Sequence, residues 1–138
     1  MPHPTNVNKP FAVVLYITDQ QGKILATTRK NNHTSFGLVG GKVDQEDTCA
    51  RKALDREVYE ETGVDISTIP CDSRITLLDD NVPVEAFIFN KSYSSLFPKN
   101  RYEGPEKTYI DFVLPFLLTF PAYSKFWKYN KELFNSLN

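Results

Sequence analysis

Three glutamates that lie close together in the sequence are the residues best able to hold a metal ion. Glu57, Glu60 and Glu61 belong to a segment, 48–62, whose apolar spacing predicts a helix. At positions i, i+3 and i+4 the three side chains share one helical face, and their mutual repulsion weakens the helix unless a cation offsets it. Carboxylate oxygens suit Mg²⁺, which also takes water and phosphate oxygens as ligands. The spacing therefore indicates a site for a divalent cation and a phosphate-bearing ligand.

An ordinary solvated helix face is the alternative interpretation of these charges. Arg56 is four residues from Glu60 and can pair with it on the helix surface. The neighbouring glycines favour the functional interpretation. Gly40 and Gly41 let the backbone turn sharply and approach a ligand, and Gly63 fits the left-handed position that often follows a helix. The glycines and the helix therefore bracket one candidate site.

The composition is that of one globular domain over 1–138, with an irregular, proline-containing lead-in at 1–10. Hydrophobic residues make up 41% of the chain and charged residues 24%, and a net charge of −1 gives no overall attraction to long nucleic acid or anionic membrane. Cys49 and Cys71 lack the spacing of a metal site, so we expect free thiols. No secretory signal or membrane-spanning run is recognisable, and we expect a cytoplasmic location.

The chain before the helix predicts extended structure. Its segments read as a strand buried on both faces, a hairpin partner for that strand, a loop, and a short extended piece that leads into the glycines: 11–18, 23–29, 30–35 and 36–39. Asp47 or Thr48 is expected to cap the N-terminus of the helix.

The chain after the helix predicts a second hairpin, a long polar loop, a strand and an amphipathic terminal helix: 74–80 with 82–90, 92–107, 108–115 and 123–137. Strands interrupted by one helix and followed by another predict an α/β (α+β) fold. We expect a mixed central sheet with helices on both faces.

The stretch from Gly41 to Val64 resembles the Nudix box, G-x5-E-x7-R-E-U-x-E-E-x-G-U, in which U is a bulky apolar residue. Every fixed position of the second half of the box is matched, by Arg56, Glu57, Val58, Glu60, Glu61, Gly63 and Val64. The first half differs, because eight residues rather than seven separate Asp47 from Arg56. We interpret the difference as a loop insertion, with Glu46 or Asp47 in place of the first glutamate. The resemblance implies the Nudix-type α/β/α sandwich.

The resemblance also implies a cation site and the residues that support it. Glu57, Glu60 and Glu61 would bind Mg²⁺ or Mn²⁺, and a backbone carbonyl near Gly41 would be a further ligand. Arg56 would orient the glutamates through hydrogen bonds and charge. Water held at the cation would attack a phosphorus of a diphosphate, and the cation would stabilise the developing charge. We therefore expect Glu57, Glu60 and Arg56 to be catalytic.

Further residues are expected to act on the water or the phosphates. Some Nudix proteins use a glutamate on a downstream loop as general base, and between Glu103 and Glu106 we expect Glu106 to take this role. Arg29 at the end of the second strand is the first candidate for a phosphate contact, followed by Lys30 and Lys42. Five aromatic residues could stack on a nucleobase, although aromatic residues in such elements more often belong to the core: Phe36, Phe87, Phe89, Tyr102 and Trp127.

The implied function is metal-dependent hydrolysis of a diphosphate linkage in a nucleoside diphosphate joined to another group. The short chain and its GGKVD loop most resemble MutT-like nucleoside triphosphate pyrophosphohydrolases. A catalytically silent Nudix-fold module that binds a nucleotide or a protein is the alternative, and the complete set of glutamates favours the enzyme. Isopentenyl diphosphate isomerase chemistry is disfavoured, because neither Cys49 nor Cys71 is placed for it. The expected partner is a nucleotide-type diphosphate, with no membrane or long nucleic acid, and a homodimer remains open.

Overall fold

The computed structural model describes residues 10–29, 32–79, 82–103 and 108–118. Within these ranges eight strands and one α-helix follow one another in the order β1 (Ala12–Tyr16), β2 (Ile24–Arg29), β3 (Asn32–Leu38), β4 (Gly40–Lys42), α1 (Ala50–Thr62), β5 (Ser73–Asp79), β6 (Val82–Ile88), β7 (Arg101–Glu103) and β8 (Thr108–Val113). Two short 3₁₀ turns lie at Lys91–Leu96 and Pro115–Leu117.

The strands form two four-stranded sheets. Sheet A has the order β4-β1-β6-β5, and sheet B has the order β3-β2-β8-β7. Sheet A is mixed, because β1 is parallel to β6 but antiparallel to β4, whereas every pairing in sheet B is antiparallel. The predicted mixed α/β (α+β) fold is therefore confirmed. The division of its strands between two sheets is a feature that the sequence pattern did not predict.

The expected hairpin between 11–18 and 23–29 is wrong. Its two strands, β1 and β2, belong to different sheets. They meet only next to the turn, where a bridge joins Thr18 and Ile24 and the Leu25 amide donates to the Ile17 carbonyl at 3.1 Å. Beyond the turn both edges of β1 are already paired, with β4 on one side and β6 on the other, so no edge is left for β2.

Two segments that were predicted as loops contain strands. β3 begins at Asn32, inside the expected loop 30–35, and β7 lies inside the expected loop 92–107, which also contains most of the first 3₁₀ turn. β7 pairs with β8, and β3 pairs with β2. Both are edge strands held by backbone hydrogen bonds, and their polar sequences carry little of the apolar pattern that identifies a strand. The predicted hairpin of 74–80 with 82–90 is confirmed as the β5–β6 pair.

The core explains why β1 is apolar throughout. Its side chains alternate between two buried clusters. Val13 and Leu15 lie in the cluster that contains the buried face of α1, while Val14 and Tyr16 lie in a second cluster that contains Ile24 of β2 and no residue of α1. Because helix α1 packs over β1 and β4, it lies directly above the two glycines of β4.

Several expectations lie wholly or largely outside the described residues: most of the lead-in 1–10, the phosphate candidate Lys30, the general base Glu106, and the amphipathic helix over 123–137 with its Trp127. The side chains of Tyr102 and Glu103 are also outside the description. These, and the single domain over 1–138, remain predictions. None of the helices in the described ranges is long and apolar enough to cross a membrane.

Candidate functional site

Helix α1 carries the three glutamates, and its ends are set by local backbone geometry. The N-cap residue is Cys49, whose side chain makes no capping hydrogen bond, so the expected caps Asp47 and Thr48 are wrong. The helix ends as expected at Gly63, which has a left-handed φ of 76° and donates its N–H to the Tyr59 carbonyl at 2.9 Å. Its buried residues, which anchor it on the core, are Ala50, Ala53, Leu54, Val58 and Thr62.

The anchored helix places Glu57 against the backbone of Gly41. Gly41 pairs with Val13 in sheet A, and a Cβ added to Gly41 would lie 1.7 Å from Glu57 Oε2. Only glycine leaves room for the carboxylate at this position. Gly40 is more tightly constrained, since it has a φ of 156° and a Cβ there would lie 2.1 Å from the Val13 carbonyl oxygen, a backbone atom that cannot turn aside as a side chain can. The structure thus brings together two of the expected cation ligands, Glu57 and the Gly41 backbone.

Arg56 connects this pair to the loop before the helix. Its guanidinium donates two hydrogen bonds to Asp47, from Nη2 to Oδ2 at 2.9 Å and from Nε to Oδ1 at 3.2 Å. It also donates to the Lys42 carbonyl at 3.2 Å and to Glu60 Oε1 at 3.4 Å, and it lies 3.6 Å from Glu57 Oε1. The fork of donors therefore fixes the loop and two of the glutamates relative to one another.

The sequence left open whether Glu46 or Asp47 replaces the first glutamate of the box, and the hydrogen bonds favour Asp47. It is buried and accepts a further hydrogen bond from the Asp44 amide at 2.8 Å, whereas Glu46 is exposed. The hydrogen bonds from Arg56 to Asp47 are the largest cause that raises the pKa of the guanidinium above its ordinary value. Because α1 begins only at Ala50, the residues after Asp47 stay outside the helix and accommodate the insertion.

The environment of Glu57 makes it hold a proton more tightly than an ordinary glutamate. Burial is the largest cause and raises the pKa of Glu57 to about 7, against the attraction of Arg56, which lowers it. A hydrogen bond with the Glu60 carboxyl and the charges of Glu60 and Asp44 raise the pKa further. A cation bound by Glu57 would therefore have to displace its proton.

The chemistry of these donors fits a hard divalent cation, although the set is small. As the side chains stand in the described part of the chain, no three acidic, histidine or cysteine residues are close enough together to hold a metal ion. Glu57 places a carboxylate against the Gly41 backbone, Glu60 Oε1 lies 3.4 Å from Arg56 Nη1, and Glu61 lies partly buried one turn along α1 from Glu57. Mg²⁺ commonly takes one or two carboxylates and completes its shell with water and substrate phosphates.

The other predicted residues are the candidates for phosphate contacts and for stacking on a base. Lys42 ends β4 next to Gly41, and its Nζ lies 5.4 Å from the centroid of the Phe11 ring. Arg29 ends β2 in sheet B, whereas Gly41 lies in sheet A; the Arg29 side chain is outside the description, so its phosphate contact remains a prediction. Phe87 and Phe89 are buried, as the core interpretation predicted, and Phe36 is half-buried.

Sequence reasoning missed two residues beside the centre. Phe11 was read as the first residue of a buried strand, but it precedes β1 and half of it is exposed. Asp44 was not considered, yet its Oδ2 lies 3.4 Å from Arg56 Nη2. The acidic character of the loop was the sequence signal for Asp44, whereas Phe11 is continuous with the apolar run of β1, and its sequence neighbours do not mark it as exposed.

The comparisons with known proteins agree with this geometry. The family model of the NUDIX domain matches residues 8–112. No curated protein sequence gives a significant match. Among solved structures, the chain is similar to a MutT protein from Methanosarcina mazei Go1, with 20% identity, a TM-score of 0.54, and 94% of each chain covered.

Two further solved structures have the same fold. The Nudix hydrolase RenU from M. smegmatis shows 15% identity and a TM-score of 0.68, with 94% of this chain and 88% of that chain covered. A bifunctional NMN adenylyltransferase/ADP ribose pyrophosphatase from Francisella tularensis, complexed with AMP and a Mn ion, shows 16% identity and a TM-score of 0.67, with 91% of this chain and 42% of that chain covered. Because the NUDIX domain model spans most of the sequence, including the whole of β1, α1 and the glycines between them, the chain belongs to the Nudix hydrolase family.

Proposed function

We propose that the protein is a metal-dependent hydrolase that cleaves a diphosphate linkage in a nucleoside diphosphate joined to another group. The observation that carries the proposal is the contact of Glu57 with the Gly41 backbone, where only a glycine fits. The contact sets the Glu57 carboxylate against the backbone of Gly41, whose carbonyl would be a second oxygen donor of the kind that suits Mg²⁺ or Mn²⁺.

Each residue of the centre has a distinct proposed role. Glu57, Glu60 and Glu61, with the Gly41 carbonyl, would hold the cation, which when bound polarises the phosphate and activates water. Arg56 is the positioning residue, because its hydrogen bonds to Asp47 and to the Lys42 carbonyl fix the guanidinium beside Glu57 and Glu60. Glu57 must lose its proton before it can act as a ligand or accept a proton from water.

The finer assignment is a MutT-like nucleoside triphosphate pyrophosphohydrolase. It is supported by the GGKVD loop and by the likeness over nearly the whole chain to a MutT protein. Lys42 and Arg29 are the proposed phosphate contacts, and Glu106 on the segment before β8 is the proposed general base. The two free thiols, Cys49 and Cys71, suit a reducing compartment, and we propose a cytoplasmic location.

A silent Nudix-fold module that binds a nucleotide or a protein is the second candidate. The absence of a three-acid cluster among the described side chains favours it. We nevertheless favour the enzyme, because a hydrogen-bonded arginine (Arg56) next to a partly buried glutamate (Glu57) is expected in a reaction centre, whereas a binding module has less need of it.

A substrate panel separates the two candidates. The protein is incubated with Mg²⁺ or Mn²⁺ and with deoxynucleoside triphosphates, oxidised dGTP, ADP-ribose, dinucleoside polyphosphates, NADH and capped RNA, and released phosphate or pyrophosphate is measured. We expect turnover of a nucleoside triphosphate that Glu60→Gln abolishes, whereas Glu46→Gln, an exposed acid of the same loop, leaves it intact. If no compound of the panel is hydrolysed, the enzyme is rejected. If Glu60→Gln remains active, the metal assignment is rejected.

A further inference from the structure

An aspartate in the loop before α1 contacts Arg56 but has no role in the function proposed above. Asp44 Oδ2 lies 3.4 Å from Arg56 Nη2 as an ion pair. Each terminal nitrogen of a guanidinium carries two hydrogens. Nη2 already donates to Asp47 Oδ2 at 2.9 Å and to the Lys42 carbonyl at 3.2 Å. Asp44 therefore brings a negative charge to a nitrogen whose hydrogen bonds are made by other groups.

The place of Asp44 is set by its backbone and not by this ion pair. The Asp44 amide donates to Asp47 Oδ2 at 2.8 Å, and the Asp44 carbonyl accepts from the Asp47 amide at 3.1 Å. The two aspartates thus belong to one closed turn, and both reach the same nitrogen of Arg56. The Asp44 side chain is 54% exposed, whereas that of Asp47 is 8% exposed. Asp47 is therefore the group that holds the guanidinium, and Asp44 is an additional charge beside it.

The other terminal nitrogen of Arg56 faces the glutamates of the proposed cation site. Nη1 donates to Glu60 Oε1 at 3.4 Å and lies 3.6 Å from Glu57 Oε1. These contacts orient the carboxylates, but the guanidinium also attracts the oxygens that a divalent cation needs, and it would repel a cation bound there. Arg56 would therefore weaken the cation site that it positions unless another charge offset its own.

The charge of Asp44 is felt on both sides of Arg56. The pKa of Arg56 is raised chiefly by its hydrogen bond to Asp47, and the charge of Asp44 raises it further. The pKa of Glu57 is raised chiefly by burial, and the charges of Glu60 and Asp44 raise it further. A negative charge that favours a proton at Glu57 also favours a metal cation there. Since an exposed ion pair contributes little to stability, the charge of Asp44 matters mainly for ions bound next to it.

We propose that Asp44 is a positioning residue whose charge offsets that of Arg56 and so leaves Glu57 and Glu60 available to the divalent cation. The two aspartates of the turn then divide the work on one arginine: Asp47 fixes its place, and Asp44 balances its charge. The inference rests on the proposed metal-dependent hydrolase, because it concerns the affinity of the same cation site.

Cation affinity measured without substrate tests the role of Asp44. Mg²⁺ is titrated by calorimetry at pH 8 and low ionic strength into the metal-free wild type and three variants: Asp44→Asn, Asp44→Glu and Glu46→Gln. We expect Asp44→Asn to weaken Mg²⁺ binding about fivefold, the order of effect that an unbalanced unit charge has on a divalent ion several ångströms away in water. Asp44→Glu restores the charge and should recover most of the affinity. Glu46→Gln removes an equal charge from an exposed residue of the same loop and should change it little.

Thermal melts in EDTA distinguish this role from a structural one. All four proteins should melt alike, whereas a turn weakened by Asp44→Asn would lower the melting temperature together with the affinity and would overturn the inference. An unchanged affinity in Asp44→Asn, or an equal loss in Glu46→Gln, also overturns it and leaves the proposed function standing. A wild-type protein that binds no Mg²⁺ overturns the proposed function as well.

A double-mutant cycle shows whether Asp44 acts through Arg56. Arg56→Met removes the charge that Asp44 is proposed to offset, so adding Asp44→Asn to it should weaken Mg²⁺ binding by no more than about twofold. The full fivefold loss in the Arg56→Met background would mean that Asp44 acts on the cation directly, and the positioning role would be rejected.

Discussion

The Glu57 carboxylate packs against the Gly41 backbone, in the space that a side chain on residue 41 would take. A Cβ on Gly41 would lie 1.7 Å from Glu57 Oε2. Glu57 belongs to helix α1 and Gly41 to strand β4, so the contact joins the two elements that form the candidate centre. Any side chain at position 41 must displace the carboxylate. The contact therefore gives a direct way to disturb the centre without disturbing the core.

Gly41→Ala should weaken cation binding while leaving the fold intact. The added methyl group forces Glu57 out of its place, and we expect Mg²⁺ affinity and turnover to fall at least about tenfold, as when a residue that orients a ligand is lost. Gly63→Ala is the matched control. Nothing lies within 4 Å of its added Cβ, but its φ of 76° strains an alanine, so it should lose about 1 kcal/mol of stability and keep its Mg²⁺ affinity. Calorimetric titration with Mg²⁺ and thermal melts distinguish the two, and equal Mg²⁺ affinities would contradict the prediction.

Asp47→Asn should loosen the arginine that fixes the glutamates. The amide keeps the size of the side chain but presents an N–H donor to the Arg56 guanidinium, which now makes hydrogen bonds of 2.9 and 3.2 Å to Asp47. Hydrogen bonds to charged groups contribute about 1.5–3 kcal/mol, and we expect an unfolding free energy lower by about that amount. Activity should fall about 10- to 100-fold.

Glu46→Gln is the control for Asp47→Asn, because Glu46 is the exposed acid next in sequence. It should match the wild type in denaturant unfolding and in turnover. If Glu46→Gln were the more damaging of the two variants, Asp47 would not be the acid that takes the place of the first box glutamate.

Cation affinity should rise with pH through the pKa of Glu57. Burial raises the pKa of Glu57 to about 7 from its ordinary 4.5, so near neutrality a cation must displace a proton. We expect Mg²⁺ to bind about tenfold more tightly at pH 8 than at pH 6, since the ionised fraction of a group with this pKa rises by about that factor. Titrations with Mg²⁺ at several pH values measure the slope. Glu57→Gln, which cannot ionise, should bind weakly at every pH, and a wild-type affinity that does not change with pH would contradict the prediction.

The stability of the metal-free protein should have the opposite dependence on pH. The folded chain holds the Glu57 proton more tightly than the unfolded chain does, because the folded-state pKa is the higher one. This contribution to stability is complete below about pH 4.5 and is lost as the pH rises through about 7. Unfolding in EDTA should therefore show a decline over this range that is smaller in Glu57→Gln.

The sequence predicted the parts of the site that depend on local pattern. The apolar spacing of Leu54 and Val58 identified the helix and its buried face, and Gly63 marked its end. The run of matches from Arg56 to Val64 pointed to the family that the NUDIX domain model identifies. These features are encoded within a few turns of chain, where residue spacing alone determines which side chains share a face.

The remaining features depend on contacts between segments far apart in sequence. The pairing of β1 with β6 rather than β2 is decided by which strands compete for the edges of β1, and no single strand sequence records that outcome. The choice of Asp47 over Glu46 depends on which carboxylate the loop turns towards Arg56, nine residues away from Asp47. The half-exposed Phe11 is another case, because its apolar neighbours make it look like the start of a core strand.

Arg56→Lys and Arg51→Lys should separate positioning from stability on the same helix. Arg51 donates from Nη2 to the carbonyls of Ile66 and Ile69, both at 2.6 Å, and lies 5.1 Å from the centroid of the Phe89 ring. Arg51 also donates from Nε to Asp55 Oδ1 at 2.8 Å. One lysine ammonium cannot reach this carboxylate and both carbonyls, so Arg51→Lys should lose about 1–2 kcal/mol of unfolding free energy. Because none of these contacts involves the glutamates of the centre, its Mg²⁺ affinity should be unchanged.

Arg56→Lys loses the fork that reaches Asp47, the Lys42 carbonyl and Glu60 at once. A single ammonium can satisfy only part of this set, so the glutamates lose their fixed orientation and turnover should fall about 10- to 100-fold. Paired thermal melts and Mg²⁺ titrations of the two variants provide the measurement. If Arg51→Lys impaired Mg²⁺ binding as strongly as Arg56→Lys, the loss would follow from a weakened helix, and Arg56 would have no positioning role of its own.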